Sequence, residues 1–130
     1  VRWSALLLAL LSLGNAAADE PPIRVRVNTK IAQAPATVNG KVIIERHSDN
    51  RALVVLLESE GYSLRSVRQI DGEASSRVYD TWWKDLPCGN YNVRAVLVRI
   101  ENGRPVEKHA IESFRVTGLT CSISDEDDLF

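Results

Sequence analysis

Two cysteines, Cys88 and Cys121, and two histidines, His47 and His109, are the residues of this 130-residue chain best equipped for chemistry. A thiol becomes a nucleophile when a neighbouring base or positive charge holds it ionised, so a catalytic Cys88 needs one of the two histidines beside it. A transition-metal site is the other possibility, with His47, Asp49 and His109 converging at one end of the molecule. The two histidines lack the tight spacing that marks such a site. Asp49 and Asn50 more simply supply the side-chain hydrogen bonds that turns favour. Serine is plentiful, but no strand-to-helix nucleophile elbow surrounds any of them. The acid pairs Glu58/Glu60 and Asp71/Glu73 stand beside Gly61 and Gly72 at the ends of apolar runs, where solubilising turn residues belong. The glycines are all isolated, which leaves no phosphate-cradling loop. The residues therefore point to no enzyme, no metal and no cofactor.

The elements that must position these side chains follow from composition and periodicity. Residues 1–18 combine an early cation (Arg2), the apolar run "ALLLALLSL" and the small-residue end "AAA" before Asp19. That is the pattern of a secretory signal peptide cleaved near Ala18/Asp19, and it implies a secreted or periplasmic protein. The apolar run is about half the roughly 20 residues a spanning helix needs, so no membrane span is expected in the mature chain. Residues 19–118 make one domain, and 119–130 form a C-terminal segment with an acidic tail. Lys and Arg number 16 against 17 Asp and Glu, four of those acids lying in residues 125–128. The body is thus slightly basic with scattered arginines, which argues against nucleic acid as a partner.

Beyond the leader the hydrophobic period is two, in short runs rich in valine, isoleucine and aromatics, broken by turn residues about every ten positions. The runs at 23–28, 41–46, 52–59, 62–70, 77–84, 91–100 and 106–116 predict seven strands, with "AQAPA" interrupting after the first. Such a pattern predicts an all-β, antiparallel two-sheet sandwich of immunoglobulin-like type.

Leu86, Pro87, Gly89 and Tyr91 sharpen this. Their spacing resembles the corner between the fifth and sixth strands of fibronectin type III and immunoglobulin-like domains. Together "SDNRAL", "RSV", "DGE" and "LPCGNY" resemble secreted bacterial immunoglobulin-like domains of unassigned function. The resemblance implies that the Tyr91 hydroxyl bonds back to upstream backbone. It also implies that Trp83 points into the core, with Thr81 and Tyr79 on its face. A small residue is usual in the family where Cys88 stands. In the resembled topology the sixth strand leaves the turn holding Cys88 and the seventh returns to it, which brings Cys121 within reach. An even cysteine count and an oxidising compartment then favour a Cys88–Cys121 disulfide over two free thiols. Closing that loop is worth ~3–4 kcal/mol in the chain-entropy model. The same topology puts His47 at the opposite end, and His109 about 23 Å from Cys88 at about 3.3 Å per residue.

What remains unusual is a surface. If Tyr91, Val93, Ala95 and Leu97 face the core, alternation sends Val96, Val98 and Ile100 outward. The run "LVVLL" is apolar on both faces, and Ile111 adds to the patch from the last strand. Rimmed by Arg94, Arg99 and Arg115, this outer face is expected to take a protein partner, to mediate self-association, or to be covered by the chain's own termini. A second candidate surface is Trp82, which alternation also turns outward, together with Tyr62, as a sugar platform. The sequence thus implies a non-catalytic module that binds protein or serves as a structural domain, with a carbohydrate-binding module as the alternative.

Overall fold

A computed structural model describes residues 20–119 and 121. The expected leader with its expected cleavage position and the acidic tail lie outside the described residues. Eight strands are formed: β1 (Ile23–Val27), β2 (Ile31–Gln33), β3 (Ala36–Ile44), β4 (Asn50–Ser59), β5 (Tyr62–Gln69), β6 (Val78–Leu86), β7 (Gly89–Glu101) and β8 (Arg104–Thr117). They make a three-stranded sheet in the order β1-β3-β6 and a five-stranded sheet in the order β2-β8-β7-β4-β5.

The count and direction of strands depart from the sequence-based expectation. Seven antiparallel strands were expected, but β2 is an eighth and pairs parallel with β8, Ile31 lying opposite Arg115 and Gln33 opposite Thr117. The chain leaves β1 on one sheet, crosses at Asn28–Lys30, and joins the edge of the other. The residues that interrupt the period-two pattern are therefore the ones that change sheets. Pro35 has no N–H to continue this ladder. Its predecessor Ala34 closes it, donating to the Thr117 carbonyl at 2.7 Å. Beside the crossing, Lys30 pairs with Glu112. That hydrogen bond, with a second from the Ser113 N–H, holds the Glu112 carboxyl below its ordinary range.

The core lies between the sheets and is built by alternation. Leu53, Val55 and Leu57 of β4 and Tyr91, Val93, Ala95 and Leu97 of β7 are buried, facing Val38 and Val42 of β3 and Trp83 of β6. Valine, isoleucine and aromatic residues suit such half-buried pleated surfaces, which is why these runs become strands. Asn102 and Gly103 both have positive φ, 52° and 76°. They form the two-residue turn whose twist matches the β7–β8 hairpin.

At the opposite end, the Tyr91 hydroxyl donates to the Pro87 carbonyl at 2.6 Å. The ring stacks on Phe114 at 5.0 Å and takes Tyr62 edge-on at 6.2 Å. Burial, and secondarily the neighbouring Tyr62, raises the Tyr91 pKa above its usual value, so the hydroxyl keeps the proton it donates. Replacing Tyr91 with Phe leaves the stack but orphans that acceptor. The expected loss is about 1–2 kcal/mol in chemical denaturation, with the native circular dichroism retained. Cys88, next in the corner, is disulfide-bonded to Cys121 across a Cα–Cα distance of 5.6 Å. The bond ties the chain after β8 to the start of β7, and such bonds persist in oxidising compartments.

Candidate interaction face

Strands β4, β7 and β8 are neighbours, and their register decides what stands together on the outer face of the five-stranded sheet. Val54 lies opposite Val67 on one side and Val96 on the other, and Val96 in turn lies opposite His109. The next row runs Arg65, Leu56, Arg94, Ile111, and the row on the other side runs Gln69, Ala52, Val98, Glu107. Four strands thus place branched aliphatic side chains side by side where solvent would ordinarily dictate polar ones. Val54, Leu56, Val96, Val98, Arg65 and Arg94 line a shallow depression of about 380 Å³. Val96 is its least exposed member at 8 %, while Val67 and Ile111 at its borders are 52 % and 60 % exposed. Ile100, 37 % exposed, stands at the end of the same face.

Arg94 stands within the patch, between Leu56 and Ile111, and reaches Glu58 at 3.8 Å. Arg115 is exposed beside β2, at the other end of β8 from Glu107. Arg99 does not belong here. It was expected on the rim, but its position shares the parity of Leu97, and it is 5 % exposed on the interior side. Its Nε donates to Asn50 Oδ1 at 2.8 Å, and its guanidinium reaches Glu45 at 3.4 Å. The ion-paired and hydrogen-bonded head is what allows a guanidinium to be buried there. Val67 and Arg65 complete the face from β5, and no reading of the sequence singled them out. Their signal was present in the alternation of "YSLRSVRQ", which sends Arg65 and Val67 to the same side.

The other candidate sites come apart. Trp82 is 59 % exposed, but it projects from the three-stranded sheet. Tyr62 belongs to the five-stranded sheet and turns toward Tyr91 of the interior. The two rings lie on different sheets and do not form one platform. His47 sits in the loop before β4, its Nδ1 accepting from the Asp49 N–H at 3.0 Å. His109 is on the sheet face with its Nε2 3.0 Å from Glu107. Among the described residues no three or more His, Cys, Asp or Glu side chains gather where they could hold a metal ion. A smaller cleft of about 240 Å³ opens between β5 and β6 over Leu64, Thr81 and Trp83. There Thr81 Oγ1 is buried without a hydrogen-bond partner among the described residues.

No family model matches the chain, and no curated protein does. Solved structures share the fold. A superoxide reductase (neelaredoxin) from Ignicoccus hospitalis superposes with a TM-score of 0.56 at 12 % identity, covering 73 % of this chain and 80 % of that one. A variant of that protein gives 0.58 at 12 % identity, with 77 % and 83 % covered. A bacterial immunoglobulin-like domain from the M. primoryensis ice-binding adhesin gives 0.50 at 17 % identity, covering 77 % of this chain and all of that one. The chain is an immunoglobulin-like β-sandwich. At these identities the likeness is one of architecture, and architecture hosts many roles. Reduction of superoxide needs a redox centre. The two cysteines here are bonded to each other, and the histidines stand apart, so the described residues do not fit a metal-bound one.

Proposed function

We propose that this protein is a non-catalytic immunoglobulin-like module that works in an extracytoplasmic, oxidising compartment by docking a protein on the outer face of its five-stranded sheet. The observation that carries the proposal is the row structure of that face, which sets Val54, Leu56, Val96 and Val98 together on adjacent strands, with Arg65 and Arg94 on either side of Leu56 and Ile111 beyond Arg94. A contiguous apolar patch with polar groups about it is the usual mark of a protein contact, and here Arg65, Arg94, Glu107 and His109 supply those groups. The disulfide supports the compartment, as does the leader-like pattern of residues 1–18. Among the described residues no helix is long and apolar enough to cross a membrane.

Val98 tests the reading because its side chain is half-buried on the face and separate from the core. The Val98→Glu variant is expected to unfold within about 1 kcal/mol of the parent, since substitutions outside the core rarely cost more. It is also expected to lose the partner recovered by affinity capture from the host's extracytoplasmic fraction. A variant that fails to fold would show Val98 to be structural, and a folded variant that keeps its partner would place docking elsewhere.

A further inference from the structure

The three-stranded sheet turns a different chemistry outward. Alternation buries Ile23, Val25, Val38 and Val42 and sends Arg24, Arg26, Lys41, Trp82 and Lys84 to the outer side. Arg26 lies directly opposite Lys41, and Lys41 opposite Asp80. Like charges in directly opposite positions destabilise a sheet, since the Cα atoms of a hydrogen-bonded pair stand only about 5.5 Å apart. Among the described residues none of Arg24, Arg26, Lys41 and Lys84 has a carboxylate within ion-pairing distance to offset that cost. Asp80 and Asp85 are the carboxylates of the three strands, and the Asp80 Oδ1 accepts from Asn39 Nδ2 at 3.4 Å. The next row along the strands holds amides and a ring. Asn39 lies opposite Trp82, and its carbonyl accepts from the Asn28 N–H at 3.1 Å, which sets Asn28, Asn39 and Trp82 side by side. Trp82 is 59 % exposed, with Lys41 and Arg26 one row before it and Lys84 two residues after it.

We infer that this face binds an acidic polysaccharide, a chain of sugar rings bearing carboxylate groups. One ring stacks on Trp82, and the carboxylates of its neighbours are held by Arg26 and Lys41 on one side and by Lys84 on the other. The indole offers the C–H face of a sugar a broad apolar area. Guanidinium and ammonium groups supply charge-assisted hydrogen bonds to carboxylates, and a bound carboxylate also relieves the repulsion between Arg26 and Lys41. The amide row beside the ring favours a glycan over other polyanions, because amides both donate to and accept from hydroxyls. A membrane surface asks for more apolar area than one mid-strand ring supplies. Single-stranded nucleic acid asks for several aromatic platforms under successive bases, and the face turns one ring outward. This inference concerns the sheet opposite the proposed docking face and stands whether or not that face takes a partner.

Isothermal titration calorimetry of the full chain with uronic-acid oligosaccharides cut from alginate is expected to give a Kd of about 10–100 µM at low salt, and neutral cello-oligosaccharides of the same length are expected not to bind. Trp82→Ala should weaken binding by ~10-fold. The double variant Arg26→Gln, Lys41→Gln should lose most of the affinity together with most of the weakening that added salt produces in the parent. It is also expected to unfold at no lower urea concentration than the parent, because it removes a like-charge pair, so its loss of binding is not a loss of fold. Absence of oligouronate binding, or an affinity unchanged in Trp82→Ala, overturns the inference. Equal binding of a single-stranded oligonucleotide or of phosphatidylglycerol vesicles overturns it too. So does binding that appears only when Asp125, Glu126, Asp127 and Asp128 are all replaced by their amides, which would put the chain's own acidic residues on the face.

Discussion

Replacing Trp83 with alanine is expected to cost about 3–5 kcal/mol, the range for emptying a buried tryptophan site. The indole is 6 % exposed and stacks on Phe114 at 6.5 Å. The outer edge of its six-membered ring also meets Gly40 of β3, where a Cβ would stand 2.5 Å from the ring. This explains a glycine in the middle of a buried strand, a position that otherwise weakens pairing. Gly40→Val in the native background is expected to cost about 1–3 kcal/mol as the ring is forced aside. In the Trp83→Ala background the valine side chain has room, and its cost should largely vanish. Urea unfolding followed by far-ultraviolet circular dichroism measures both. Equal costs of Gly40→Val in the two backgrounds would contradict the packing described.

The second large effect is expected at Asn50, which is fully buried. Its Oδ1 accepts from Arg99 and its Nδ2 donates to the Glu45 carbonyl at 2.9 Å. Asn50→Leu strips the buried guanidinium of its closer partner, leaving Glu45 at 3.4 Å, and should cost about 3 kcal/mol. Adding Arg99→Met removes the stranded charge as well, and more than half of the loss is expected to return, because an apolar replacement of a whole buried polar cluster is commonly tolerated. Strictly additive losses in the double variant would show that the cluster is not a unit. Either way, Arg99 is committed to the interior and is unavailable to a partner.

How much of this was legible in the sequence differs from element to element. Alternation along "YNVRAVLVRI" correctly separates Tyr91, Val93, Ala95 and Leu97 from Val96 and Val98, because a period of two is a local property of an extended chain. The same count, carried two residues further, puts Arg99 on the core side. Its charge argues for the surface, and the compensating Asn50 lies 49 residues away in sequence, where no local pattern reveals it. The corner of Leu86, Pro87, Gly89 and Tyr91 and the Cys88–Cys121 bond were legible because their residue types are rarely interchangeable. Strand β2 was not. Three residues give no period, and a parallel pairing with β8 is set by the crossing between sheets rather than by its own side chains. The candidate face falls between these cases. Its β7 and β8 members were readable one strand at a time, but the contribution of Val67 and Arg65 required knowing that β5 follows β4 at the sheet edge.

The most direct test of the docking face is a photo-cross-linking amino acid placed at Leu56, in the middle of the outer face, and at Trp82 on the opposite sheet. Irradiation in the host's extracytoplasmic fraction is expected to give, from Leu56, one adduct whose mass differs from that of two copies of the chain, with none from Trp82. No adduct from Leu56, or the same adduct from both positions, would contradict the assignment of that face.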